Sequence, residues 1–547
     1  MTPTHRGEEI EGRSYKEYVY SPVPPSSTAA TCQSDTPGRP SQELSTRVLT
    51  TDDQSTPDNQ QLNNQVQQFT LEMAEEGSRF MQYLAAASAN LCIVATGAML
   101  GWTSSILPRL EEHASDSPLD EKITSEQSSW IGSLTPVGAL VGSFLASYLA
   151  DQWGRKRTLL LSVLPYTLGW ILIATASNVI QFYIARIIFG VALSFAFTAV
   201  PMYCGEIAET AIRGVLGSFL QLFITIGLLY SYAIGPHVSY TLLWICCGCL
   251  PLIFFASFFF MPESPYFLLS KGRTDEAITS LARLRRKSPA AVQKEIDDMQ
   301  VTIDEAFREE TKISDLFSVK ANFKALLYAS ILVTFQQMTG INLVLFYMET
   351  IFIEAGINPK ESNATLIVGV VQVLASMVTP LVVDRFGRKM LLIVSGIGEV
   401  LTLCSLGLFF YLLKYEPDEA SVIASWLPVL SLVVYISTYS IGWGPLPWAV
   451  MGEMFASNVK SNASGITVFV CWLFAFVITK FSTNINQAFG FYTTFWIFAT
   501  FCLLSVLFTI FILPETKGKS LQEIQDELNG VKNSMMIPND AENAVKK

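Results

Sequence analysis

Five neutral amides, Gln221, Gln336, Gln337, Asn342 and Gln372, lie inside long apolar runs of the 547-residue chain. An amide without a partner is expensive in hydrocarbon, so each must face a cavity or another helix. Each offers donor and acceptor groups, which suits an uncharged ligand covered with hydroxyls. An anionic ligand would call for inward-facing cations, and these runs largely lack them. Gln337 and Asn342 are five residues apart, about 140° around an ideal helix. Gly340 between them permits a break that would turn both toward one ligand. For Gln221 and Gln372 taken singly, ligand contact and interhelical glue both stay open.

A second constellation is Gly442-Trp443-Gly444-Pro445-Leu446-Pro447-Trp448. Two glycines and two prolines this close cannot form a regular helix, so Gly442, Gly444, Pro445 and Pro447 read as a hinge. Trp448 beside it offers an aromatic face on which the apolar side of a sugar ring would pack.

The charged residues are organised by repetition. Asp151-Gln152-Trp153-Gly154-Arg155-Lys156 recurs as Asp384-Arg385-Phe386-Gly387-Arg388-Lys389. Glu206 and Glu453 repeat at a similar offset, as do Pro262-Glu263-Ser264 and Pro514-Glu515-Thr516. A repeat of this size implies two related halves.

Runs of about 20 apolar residues predict membrane spans. They fall near 83–107, 128–149, 158–176, 182–204, 214–234 and 240–261, then 325–348, 364–383, 390–412, 426–451, 464–481 and 492–513. Six plus six matches the repeat, with each Asp-x-x-Gly-Arg motif between the second and third span of its half. The expectation is an all-α membrane protein of twelve helices. Residues 80–270 and 321–518 form the halves, and 271–320 a linker with short helices. Residues 1–79, rich in Ser, Thr, Pro, Gln and Asn, read as a disordered tail, and 519–547 as a second tail. The loops with Arg155, Lys156, Arg157, Arg213, Arg385, Arg388 and Lys389 are basic, and the alternate loops acidic or neutral. By the positive-inside rule both termini and the linker are cytoplasmic. Asn363-Ala364-Thr365 then falls in an outer loop and is a glycosylation candidate, whereas Asn462-Ala463-Ser464 lies on the inner side.

Composition narrows the classes. Half the residues are hydrophobic and only 15% charged, more apolar surface than a soluble core uses. A net charge of −11 offers no field for a phosphate backbone, so nucleic acid is not an expected partner. The nine cysteines lie mostly in apolar segments without metal or disulfide spacing. Gly518-Lys519-Ser520 resembles the end of a phosphate loop, but Leu513 stands where a glycine is needed. No catalytic group, metal or cofactor is expected.

The run Gln336-Gln337-Met338-Thr339-Gly340-Ile341-Asn342 resembles the sugar-porter signature of the major facilitator superfamily. Pro201-Met202-Tyr203-Cys204-Gly205-Glu206 with Arg213-Gly214, Pro262-Glu263-Ser264-Pro265 and Pro514-Glu515-Thr516-Lys517-Gly518 share it. The segment Gly101-Trp102-Thr103-Ser104-Ser105-Ile106-Leu107-Pro108 is most similar to facilitated trehalose transporters and their glucose-carrying relatives. The resemblance implies a sugar site drawing on Gln221, Gln336, Gln337, Asn342, Gln372 and Trp448. It implies a cytoplasmic gate of Asp151, Arg155, Glu206, Arg213, Asp384, Arg388 and Glu453, and plasma-membrane transport of a neutral sugar, trehalose or a hexose such as glucose.

The chain departs from the pattern in places. Lys460 stands for the usual arginine in the second-half counterpart of Arg213, turning a bidentate partner into a point charge. Tyr266 replaces an arginine after Pro-Glu-Ser-Pro. Cys471 and Ala475 occupy positions that carry asparagine in glucose carriers. Proton-coupled members carry an aspartate where this chain has Thr103, so facilitated diffusion is the expectation, with a proton symporter and a non-transporting sugar receptor as alternatives. Glu399, inside the ninth span, reads as a structural group or as a proton coupler. Arg186 either snorkels outward or is the family's arginine without its acidic partner.

Overall fold

The computed structural model describes residues 77–308, 315–356, 361–417, 426–455, 459–519 and 521–529. The tail expected over 1–79 lies outside these except for its last three residues, as does 530–547. The described residues contain twelve helices long and apolar enough to cross a membrane. In the first half these are α1 (Phe80–Glu111), α2 (Ser125–Trp153), α3 (Arg155–Ala174), α4 (Val179–Ile207), α5 (Arg213–His237) and α6 (Tyr240–Phe258). In the second they are α7 (Lys320–Phe346), α8 (Asn363–Val383), α9 (Arg388–Tyr415), α10 (Leu427–Met454), α11 (Asn462–Phe489) and α12 (Phe491–Phe511).

Helix boundaries follow local chemistry. α2 and α4 each start on a capping box, Thr124 with Gln127 and Asn178 with Gln181, which satisfies amides the first turn would leave bare. Gly154 and Gly387, at φ 101° and 86°, adopt a conformation open only to glycine and separate α2 from α3 and α8 from α9. A membrane offers no hydrophobic gain between helices, so close backbone approach does the packing. At the α2–α4 crossing a Cβ on Gly138 would lie 1.9 Å from the Ile187 carbonyl oxygen, and at the α1–α5 crossing one on Gly97 would lie 2.2 Å from that of Ile224. The large apolar side chains left outside, such as Val141, Leu381 and Phe511, form the surface that lipid would cover.

Between the halves run helices Thr274–Arg285 and Gln293–Arg308. They fasten to the first half through Arg285, which donates to Glu295 at 2.7 Å and to the Ile207 carbonyl at 2.9 Å. After α12, helix Leu521–Asn529 docks on the second half, where Lys324 Nζ donates to the Leu528 carbonyl and Gln525 to that of Met454.

α7 and α10 are discontinuous. α7 stops at Met338 and resumes at Ile341, with Gly340 at φ 83°; a further helix, Met348–Glu354, follows. α10 stops at Ile441 and resumes at Leu446, leaving Gly442, Trp443, Gly444 and Pro445 as an unwound segment, with Pro447 in the first turn of the second piece.

Candidate functional site

The α7 break overcomes the angular separation of Gln337 and Asn342. With the helix reset at Gly340, Asn342 Nδ2 donates to Gln337 Oε1 at 2.6 Å. Gln337 Nε2 donates in turn to Cys471 Sγ of α11 at 3.1 Å. Gln336 reaches the other way, donating to the carbonyls of Trp443 and Gly444 in the unwound part of α10 at 2.8 and 2.7 Å. Three helices of the second half therefore converge on one amide cluster. The buried Gln336 Oε1 and Gln372 Oε1 have no hydrogen-bond partner among the described residues. Gln221 on α5 and Trp448 on α10 are half-buried and make no side-chain hydrogen bond to the cluster among the described residues. Ala475 is fully buried.

The residue pattern points to the Trp448 ring, whereas the structure brings the neighbouring Trp443 to the amide cluster. Trp443 is wholly buried, with its indole nitrogen on the Leu392 carbonyl at 3.1 Å. Its backbone, not its ring, meets Gln336. Nothing in the residue types separates two tryptophans five apart around a break.

At one end of the bundle, the repeated motifs build two matching charge clusters. In the first half Arg155 binds Glu206 at 2.8 Å and Asp151 at 3.5 Å. In the second Arg388 binds Glu453 at 2.9 Å; the Asp384 side chain lies outside the described residues. Glu263 and Glu515, unassigned in the sequence reading although their Pro-Glu context repeats, close each cluster. Glu263 accepts the amide of Lys156 at 3.0 Å, and Glu515 those of Arg388 and Lys389 at 3.2 and 3.1 Å. Burial raises the Glu263 carboxyl above the usual carboxylate range, partly offset by the amides it accepts and by Arg155. Arg213 and Lys460 are exposed and make no ion pair among the described residues, and neither cluster reaches the other.

The opposite end is where the halves lock. Lys480 of α11 binds Glu126 of α2 at 2.6 Å and sits 4.3 Å from the centroid of the Trp130 ring. Ser129 donates to the Lys480 carbonyl at 3.0 Å. Tyr347, just past α7, donates to the Ser128 carbonyl, and the Glu349 amide to Ser104 of α1. Toward the motifs, side chains added at Gly205, Gly214, Gly217, Gly452 or Gly465 would meet nothing within 4 Å. The polar contacts described between the halves thus gather at the Lys480 end, and the five glycines toward the motifs face open space.

Two expectations change. Arg186 does not snorkel: it is completely buried, donating to the Ile131 carbonyl at 2.9 Å and toward that of Met99 at 3.4 Å. No carboxylate lies within ion-pair distance of it among the described residues. Asn363 is exposed but lies in the first turn of the helix Glu361–Phe386 that contains α8, not in a loop, because the polar residues ahead of the apolar run continue the helix.

Two six-helix halves with a buried amide cluster at broken helices have the architecture of the major facilitator fold. The chain belongs to the sugar (and other) transporter family, whose pattern matches residues 89–528. It is similar to a facilitated trehalose transporter, Tret1, of Bombyx mori, 37% identical over 407 residues, 74% of this chain and 80% of that one. Tret1 of Aedes aegypti is 35% identical over 451 residues, 82% of this chain and 55% of that longer protein. In fold the chain resembles the inward-open xylose transporter XylE of E. coli, with a TM-score of 0.68, 23% identity, and coverage of 82% of this chain and 99% of that one.

Proposed function

We propose that this protein carries a neutral sugar, trehalose first and a hexose such as glucose second, down its gradient across the plasma membrane by alternating access. The observation that carries the reading is the uncharged amide cluster at the α7 break, bonded to the α10 hinge, with the polar contacts between the halves gathered at the Lys480 end. Rocking of the halves would open the Lys480 end and bring the two motif clusters together. The basic loops support a cytoplasmic motif end, with both tails and the 271–320 linker on that side. Uniport is favoured because Thr103, standing where proton-coupled members carry an aspartate, is buried, and α1 holds no acid before Glu111. The relatives' trehalose names favour that disaccharide over the hexoses.

The test is uptake of labelled trehalose, glucose and fructose into vesicles holding the full chain, with and without a pH gradient. Saturable trehalose uptake that ignores the gradient is expected. Uptake of hexoses alone removes trehalose from the reading, and gradient-driven accumulation removes uniport.

A further inference from the structure

Glu399 of α9 is the one carboxylate side chain that is completely buried among the described residues. Among the described residues no lysine or arginine lies within ion-pair distance of it. The groups facing it are Ser395 on its own helix, Cys502 on α12, and Tyr435 and Tyr439 on α10, none of them cationic.

The hydrogens around Ser395 can be counted. Its Oγ lies 2.7 Å from the Thr438 carbonyl oxygen, 3.3 Å from the Trp443 amide nitrogen and 3.0 Å from Glu399 Oε1. A carbonyl only accepts and an amide N–H only donates. The single hydroxyl hydrogen goes to the nearer acceptor, Thr438, whose carbonyl also accepts the Gly442 amide at 3.1 Å, and Ser395 accepts from Trp443. The contact with Glu399 then needs its hydrogen from the carboxyl group, while Cys502 donates to the other carboxyl oxygen at 3.6 Å. A neutral acid satisfies every partner, and it removes the cost of an unpaired buried charge.

The chain of bonds does not stop at Ser395. The Trp443 amide it holds belongs to the unwound segment whose Trp443 and Gly444 carbonyls anchor Gln336. A Cβ on Gly442 would fall 2.3 Å from Ser395 Cβ, so α9 presses directly on that segment. We propose that Glu399, carried as a neutral acid, is a positioning residue: through Ser395 it fixes the α10 break and so aims Gln336 at the ligand. This rests on the sugar-transport reading for its kinetic consequence only.

The test uses the full chain in lipid vesicles with Glu399→Gln, Glu399→Leu, Gln336→Leu and the Glu399→Leu/Gln336→Leu double variant. Two readouts need no sugar. The infrared band of a protonated carboxyl should vanish in Glu399→Gln. Amide hydrogen exchange of the segment containing Trp443 should stay slow in Glu399→Gln and speed up in Glu399→Leu. In trehalose and glucose counterflow, Glu399→Gln should keep its KM, since its amide still donates to Ser395. Glu399→Leu should raise KM about tenfold with little change in maximal rate, the loss of one buried hydrogen bond. The double variant should add nothing to Gln336→Leu. The proposal is overturned by an unchanged infrared band, by unchanged exchange at Trp443 in Glu399→Leu, by additive KM effects, or by a Glu399→Gln protein that loses proton-driven accumulation. If neither sugar is carried, the transport reading fails alone and the infrared and exchange measurements still decide this one.

Discussion

The two motif clusters have the same plan and different completeness. Arg155–Glu206 and Arg388–Glu453 are matched to within 0.1 Å, at 2.8 and 2.9 Å. In the first half Ser264 also donates to the second oxygen of Glu206. In the second half Glu453 Oε2 and the hydroxyl of Thr516, the counterpart of Ser264, are both buried without a partner among the described residues. Duplication reproduced the ion pair but not the bond that finishes it. The under-satisfied cluster belongs to the half that also holds both helix breaks and the amide cluster. The looser anchor thus lies in the second half and the firmer one in the first.

The largest difference should come from the two motif glycines. Both sit where a side chain costs about 1–3 kcal/mol in backbone strain. A Cβ at Gly154 would also lie 2.3 Å from Glu263 Oε2, against 3.0 Å between Gly387 and Glu515 Oε2. Gly154→Ala should therefore lower the thermal stability of the purified protein more than Gly387→Ala, with losses near the upper and lower ends of that range. Equal losses would mean that Glu263 yields as easily as Glu515 and that the first half is not the firmer one.

The hydroxyl pair sharpens the contrast at smaller amplitude and opposite sign. Ser264→Ala removes a bond to a carboxylate and should cost about 1.5 kcal/mol. Thr516→Val removes a buried hydroxyl with no partner and should be neutral or stabilising by up to about 1 kcal/mol. Thermal unfolding of the two variants side by side measures this; a destabilised Thr516→Val would show that the second cluster is completed after all.

How much of this could be read from residues alone depended on whether the signal was local. The twelve spans were legible because hydrocarbon demands apolar length; most ends moved outward because helices continue beyond it, while the C-terminal ends of α3, α6, α7 and α12 drew in by two or three residues. α11, expected over 464–481, runs to Phe489 through Ser482, Thr483 and Asn484. The α7 break was legible as a glycine between two amides that an unbroken helix would point apart. Arg186 was not, because its partners are the backbone carbonyls of Ile131 and Met99, which have no residue-type signature. The lock of Lys480 on Glu126 spans residues 354 positions apart in different halves, and no motif marks either one.

The smallest effect tests whether the departure at Lys460 matters. Arg213 begins α5 and Lys460 begins the helix Lys460–Phe489 that contains α11, and both lie exposed, with no ion pair among the described residues, toward the motif end. Stability of this conformation should therefore ignore Lys460→Arg, to within about 0.5 kcal/mol. In the closed state proposed for the motif end, a guanidinium would grip a carboxylate with two bonds where an ammonium makes one. An exposed pair of this kind is worth less than about 1 kcal/mol, enough to shift the conformational population by about two- to fivefold. A cysteine placed at Gly452, which faces open space here, reports that population through its rate of reaction with a membrane-impermeant thiol reagent. Lys460→Arg should slow the labelling, and Arg213→Lys should quicken labelling of a cysteine at Gly205. If both rates stay unchanged, the closed state does not use these cations, and the asymmetry between the halves lies in Ser264 and Thr516 alone.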